Sequence, residues 1–282
     1  MEKTPPPGFE PGTIGLTGCF IDYGSLRQDF VKWLKSRVDQ KTAYNYLNYL
    51  DKYLMGVTIT CVDDLIDISL TVNGGWNWYA KAVRNLINYC VEKRIISKPV
   101  ATELKETLKI KKTGSDTWVP SDSEVKNMFA KINREDMKML FKLLYYSGIR
   151  LIEAIKILNE FDIKKLHYDS DVAYYDIDWS RGCKNAFKAF MPASFAQQLT
   201  KLNITENAVI QYIQRHKLIP AKYARNWFIN KLVKAGIQES IIRFMIGHSN
   251  GSVLMTNYLE KLNNSIHAYR KALPLLQSVL EQ

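Results

Sequence analysis

KYARNWFINKL (222–232) has the composition of a helix, and it sets Lys222 and Arg225 three positions apart on one face. It leads into IGHSNGSVLMTNYLE (246–260), where His248 follows a glycine in a short turn and a lone tyrosine, Tyr258, comes ten residues later. Three further features on separate elements stand upstream. SGIRLIEA (147–154) puts Arg150 just after a helix closed by Gly148, with Glu153 one turn on. VAYYDIDWS, RGCKNA and FKAFMPAS (172–194) read as a β-hairpin: aromatic, β-favouring runs flank a loop containing glycine, and that loop carries Lys184. Everything after Pro220 patterns as helix.

The rest of the chain is helical too, apart from two irregular stretches. Residues 1–20 are rich in Pro, Gly and Thr, show no periodicity, and are expected to form a leader with little fixed structure. FVKWLKSRV (30–38) places Phe30, Trp33, Leu34 and Val38 on one face; Leu47, Leu50 and Leu54 do the same in a second helix, flanked by Tyr46, Tyr49 and Tyr53. At helical spacing that aromatic stripe predicts core packing in preference to a platform for stacking bases. Helices are expected over 76–94 and 99–110, with Pro99 in the first turn of the latter. KKTGSDTWVPSDSEV (111–125) then breaks the pattern, and Ser121 with Glu124 forms a capping box that starts a new helix. The expected organisation is a leader over 1–20, a helical domain over 21–112, a linker over 113–120 and a second domain over 121–282. The fold class is mainly α with a small antiparallel sheet in the second domain.

At 282 residues, 46% hydrophobic and 24% charged, the composition is that of a soluble globular chain. No apolar run reaches membrane-spanning length and the first residues have no hydrophobic signal core, which predicts a cytoplasmic protein. Cys19, Cys61, Cys90 and Cys183 lie far apart and the four histidines are scattered, so no metal site is expected. Lys and Arg number 39 against 28 Asp and Glu; the net charge of +11 and pI near 9.3 point to a polyanionic partner.

Arg150 with Glu153, Lys184, Lys222 with Arg225, Gly247-His248 and Tyr258, in that order and on those element types, resemble the second domain of the tyrosine recombinases, the phage-integrase family. That domain reads Arg-x-x-Glu after a helix ended by Gly, Lys on a hairpin, His-x-x-Arg on a helix, Leu-Gly-His, and a Tyr shortly after. The resemblance covers roughly residues 25–282, although the N-terminal part matches only in layout, as a clamp of four helices. It is nearest to the fusellovirus-type integrases of archaeal viruses and plasmids. Lys222 replaces the family's usual His, and the interval from His248 to Tyr258 is one residue longer than usual.

The resemblance implies a site-specific recombinase that integrates and excises a viral or plasmid genome, acting as a homotetramer on double-stranded DNA. Tyr258 would be the nucleophile, forming a 3′-phosphotyrosyl bond that conserves the energy of the broken phosphodiester, so neither metal nor ATP is required. Arg150 and Arg225 suit the nonbridging phosphate oxygens by their rigid fork geometry. Lys184 would protonate the leaving 5′-hydroxyl, and His248 would bond a phosphate oxygen or assist the tyrosine proton. Lys222, a donor only, is expected to contribute charge and to be a poor general base. Other readings stay open. Lys188 and Arg181 share the hairpin with Lys184, Tyr269 is a second candidate nucleophile, and the tail around Ile266, Leu273, Leu276 and Leu280, interrupted by Pro274, either docks on a neighbouring subunit or folds back on its own domain. Each residue also has an ordinary reading: Arg150 and Glu153 as a surface ion pair, Lys222 and Arg225 as a solvated helix face. A type IB topoisomerase and a non-catalytic helical DNA-binding protein are the competing functions. Finally, PGFEPG in the leader back-translates to a sequence compatible with the TψC arm of a tRNA gene, so residues 6–12 are read as translated attachment-site DNA.

Overall fold

The computed structural model describes residues 19–114, 116–178, 187–247 and 258–281. The chain divides into two compact units, Met1–Ser115 and Asp116–Gln282. The described residues are mainly helical, with two small antiparallel sheets.

In the first unit, β1 (Ile21–Asp22) leads into α1 (Tyr23–Lys35) and α2 (Gln40–Tyr53), β2 (Thr58–Ile59) returns to pair with β1, and α3 (Val62–Leu70), α4 (Trp76–Glu92) and α5 (Lys98–Thr107) complete the described elements. Asp22 and Asp39 cap α1 and α2 by accepting first-turn amides, and Pro99 sits in the first turn of α5. The apolar faces expected of α1 and α2 meet the helix expected over 76–94, α4, in one core of Phe30, Leu34, Leu50, Leu54, Tyr79 and Leu86. Arg27 joins α1 to α2 through two bonds to Asp51, at 2.7 and 2.8 Å, beside a bond from the Tyr23 hydroxyl to the same carboxylate at 2.7 Å. The tyrosine stripe packs as expected: Tyr46 is buried, and Tyr53 meets Tyr79 edge-on at 5.5 Å. The four-helix expectation is corrected by α3. That nine-residue helix buries Leu65 and packs Val62 and Ile68 against the same core, and Asp64 fixes its start by accepting the Thr60 and Cys61 amides.

The second unit runs α6 (Asp122–Ala130), α7 (Glu135–Ser147), α8 (Leu151–Asn159), β3 (Leu166–Asp169), β4 (Val172–Asp176), β5 (Lys188–Pro192), α9 (Ala193–Ala196), α10 (Glu206–His216), α11 (Lys222–Lys234), α12 (Glu239–Met245) and α13 (Tyr258–Leu280). Strands β4 and β5 form the expected antiparallel pair, with Val172 opposite Pro192 and Asp176 opposite Lys188, and β3 adds a third strand. The Ser121–Glu124 capping box opens α6. Two expectations about the tail resolve here. Helix α13 continues through Pro274, whose ring removes one helical hydrogen bond, because Leu273, Leu276, Val279 and Leu280 are buried on either side of it. Its apolar face, from Leu262 and Ile266 to Leu280, packs into the unit's own core, so the tail folds back on its own domain. No described helix is long and apolar enough to cross a membrane, and among the described residues no cluster of His, Cys, Asp and Glu could hold a metal. Residues 1–18, including the proposed attachment-site segment 6–12, lie outside the described residues.

Candidate active site

A glycine and a capping carboxylate bring Arg150 to its place. Gly148 ends α7 in the left-handed region (φ 63°), and a Cβ there would stand 2.2 Å from Cδ1 of Phe228 on α11. The chain can therefore turn against α11, bury Ile149, and place Arg150 as the extended N-cap of α8. Glu153 accepts the Arg150 backbone N–H at 2.6 Å through Oε2 and Arg150 Nη1 at 2.7 Å through Oε1. Glu153 is only 4% exposed. The ordinary reading, a solvated surface pair, does not describe it.

Arg225 comes from α11, which is seated by Trp227 and Lys231: both donate to Asp122, at 2.9 and 2.6 Å, and Trp227 packs against Tyr145. The Arg225 side chain is 13% exposed, its Nη2 stands 3.6 Å from Glu153 Oε2, and its Nη1 donates to the Ile246 carbonyl at 2.8 Å. One buried carboxylate thus serves two guanidiniums whose like charges oppose each other. Burial first, and then the Arg150 charge, lower the Arg225 guanidinium to about 10, with Glu153 acting against both; it remains a cation at neutral pH. Among the described residues Arg225 Nη2 is buried and has no hydrogen-bond partner.

Lys222 opens α11 one turn before Arg225. It is exposed, and its Nζ donates to Asp116 at 2.6 Å while lying 4.5 Å above the Tyr223 ring. The bond to Asp116 raises its ammonium pKa above the ordinary lysine value. Arg150, Lys222 and Arg225 line one cavity of about 570 Å³, walled by Ile149, Ile210, Ile213 and Pro220. Three of the residues singled out from sequence therefore share a cleft, and Glu153 stands behind two of them. Asp116 was not singled out by sequence: its partner is 106 residues away, and no local pattern signals such a pair.

Lys184 and His248 lie outside the described residues, as do Arg181 and the side chain of Tyr258, which is the first residue of α13. The Ile246 carbonyl held by Arg225 is two residues before His248 in sequence. Two of the alternatives lie among the described residues. Tyr269 is fully buried, donates to the Tyr146 carbonyl at 3.0 Å, and has its phenol pushed well up by burial, so it offers no accessible nucleophile. Lys188 is committed to an ion pair with Asp176 on the sheet and lies over the Tyr174 ring, which leaves it poorly placed to act as a mobile acid. Cys19 and Cys90 are buried, their thiols pushed up to about 11 and about 12 chiefly by burial, and have no part in the cleft.

Two solved structures resemble the chain over most of its length. One is an integrase from mycobacterium phage Brujita (12% identity, TM-score 0.41, covering 88% of this chain and 92% of that one). The other is the XerH site-specific recombinase bound to difH substrate in a pre-cleavage complex (14% identity, TM-score 0.43, covering 86% and 91%). No curated protein matches the sequence. Residues 117–275 match the family model described as archaeal phage integrase, a span that takes in α6 to α12, the three-stranded sheet and most of α13. Since that match covers more than half of the chain, the protein belongs to the archaeal phage integrase family.

Proposed function

We propose that this integrase recombines double-stranded DNA at specific attachment sites through a covalent intermediate on Tyr258. The Tyr258 phenol oxygen attacks a backbone phosphorus, a bond forms between that oxygen and phosphorus, and the bond to the 5′ oxygen breaks. Lys184 gives a proton to the leaving 5′-hydroxyl, and His248 assists the departure of the phenol proton. Rejoining reverses each transfer on a new strand, so the phosphodiester energy is conserved and neither metal nor ATP is consumed. Arg150 and Arg225 neutralise the nonbridging oxygens, and Lys222 adds a third positive charge. The reading includes a tetramer on DNA and a tRNA-gene target.

The observation that supports it best is the convergence of Arg150 and Arg225 on one buried carboxylate, at the wall of a cavity that Lys222 also lines. Two guanidiniums that share a single carboxylate keep a surplus of positive charge suited to an anion, and Arg225 Nη2 has no hydrogen-bond partner among the described residues. A net charge of +11 fits a polyanionic substrate.

A nicked duplex carrying the candidate tRNA-gene site traps the intermediate, because the short strand beyond the cut diffuses away. The wild type should form a covalent adduct whose attached residue maps to Tyr258. Tyr258→Phe should form none, and Arg150→Ala or Arg225→Ala should slow adduct formation by about 10²- to 10³-fold. Adducts from Tyr258→Phe, or none from the wild type, would refute the assignment. The codons for residues 6–12 test the target: codons incompatible with a tRNA gene end that part of the reading.

A further inference from the structure

The segment that opens the second unit lies along the first turns of α11. Trp118 meets the Tyr223 ring edge-on at 4.4 Å, and Asn226 Nδ2 donates to the Trp118 carbonyl at 2.9 Å. Those contacts seat the segment without using charge. Asp116 adds a different kind of contact. Its Oδ2 receives both Lys222 Nζ at 2.6 Å and the Tyr223 hydroxyl at 2.5 Å, while Oδ1 accepts the Trp118 amide at 3.3 Å. Two donors converging on one anionic oxygen would serve a phosphate oxygen equally well. The Lys222 side chain at the centre of this arrangement also lines the cavity shared with Arg150 and with Arg225, whose buried Nη2 lacks a hydrogen-bond partner among the described residues.

We infer that Asp116 is a resident counter-anion: its carboxylate holds Lys222 and Tyr223 in the position where a DNA backbone phosphate oxygen binds, and must leave for the phosphate to enter. The inference rests on the proposed reading of Lys222 as a phosphate-binding cation. The pair is suited to exchange. The Lys222 and Asp116 side chains are 62% and 45% exposed, and an ion pair in that setting is weak and screened by salt. A phosphate offers the same two donors an equivalent oxygen, and the strap remains in place through Trp118 and Asn226. Asp116 thus acts through Lys222, positioning the ammonium before DNA arrives and setting how readily the backbone is taken.

Equilibrium binding of the full chain to a duplex, measured over a range of salt, tests this with wild type, Asp116→Asn, Lys222→Gln and the double variant. Asp116→Asn should bind about two- to fivefold more tightly, with the slope of log K against log salt steeper by up to about 0.9. With Gln at 222 the same change at 116 should have almost no effect. An Asp116→Asn protein that binds unchanged or more weakly overturns the inference. So does equal tightening in both backgrounds, which would be a general effect of net charge. Thermal unfolding of Asp116→Asn verifies that the strap survives. Adduct formation on the nicked duplex separates the two readings: wild-type adducts with a flat binding cycle refute Asp116 alone. Absence of wild-type adducts refutes the catalytic reading and leaves the cycle to decide Asp116.

Discussion

Glu153 stands between two guanidiniums, and replacing it by Gln removes its charge while keeping an acceptor in place. The side chain is nearly sealed from water, takes two bonds from Arg150 at 2.6 and 2.7 Å, and stands 3.6 Å from Arg225 Nη2. Removing one member of a buried charged set typically costs about 3–5 kcal/mol, because the partner's charge is left uncompensated. Arg150 is still 24% exposed, so water answers part of that loss, which brings the expectation for Glu153→Gln to about 2–3 kcal/mol. The Gln amide oxygen can still accept the Arg150 backbone N–H. Glu153→Ala loses that cap as well, at about 1 kcal/mol more. For a unit of this size each kcal/mol lowers Tm by about 2–4 °C, so Glu153→Gln should melt about 4–12 °C below wild type and Glu153→Ala a few degrees lower still.

Thermal unfolding followed by far-ultraviolet circular dichroism reads both variants, with and without inorganic sulfate. An anion between the guanidiniums replaces the lost negative charge, so sulfate should raise Tm more in Glu153→Gln than in wild type. A purely steric role for Glu153 would not produce that difference. A Glu153→Gln protein that melts within about 1 °C of wild type, or that shows no extra response to sulfate, would mean the carboxylate does not hold the two cations together.

Three further outcomes test the frame around the cleft. Gly148→Ala combines a positive φ with a Cβ 2.2 Å from Phe228 and should cost about 2–4 kcal/mol in chemical denaturation, with a loss of DNA cleavage because Arg150 follows two residues later. Tyr269→Phe should cost about 1–2 kcal/mol by leaving the buried Tyr146 carbonyl short of a donor, yet should retain adduct formation in the nicked-duplex assay. Asp122→Ala leaves the buried Lys231 ammonium without its carboxylate and should cost about 3 kcal/mol in urea unfolding; adding Lys231→Met should recover most of that loss.

What could be read from the sequence follows from how local each signal is. The Ser121–Glu124 box, the glycine at 148 and the apolar faces of α1 and α2 are written within one or two turns, and the structure has them. Helix α3 escaped because its nine residues span too few turns for an apolar spacing to stand out, and β3 because four residues with one buried side chain carry little pattern. Pro274 pointed to a break, but the buried residues around it outweigh the missing hydrogen bond. At the cleft, Arg150 and Glu153 could be paired from their spacing alone. That Glu153 also faces Arg225, 72 residues on, and that Asp116 holds Lys222, 106 residues on, depends on tertiary packing that no window of sequence contains.

Position 222 connects that packing to proton chemistry. An imidazole there could both donate and accept, but Lys222 is tied to Asp116 and lies over the Tyr223 ring, and these contacts stabilise its charged form. An ammonium held protonated donates hydrogen bonds and accepts none, so the phenol proton of the proposed nucleophile has to leave by another route. In the proposed reaction its share of charge neutralisation is also smaller than that of Arg225. At about 4 Å two unit charges interact by about 1 kcal/mol in water but by about 4 kcal/mol at the effective dielectric of a partly buried site. The exposed ammonium is near the first limit and the nearly sealed Arg225 near the second. In the proposed reaction the buried guanidinium then carries the larger electrostatic task, and Lys222, where the resembled tyrosine recombinases usually have histidine, supplies the outer contact. That division of labour follows from where each side chain sits on α11, one at its exposed first residue and the other one turn further in.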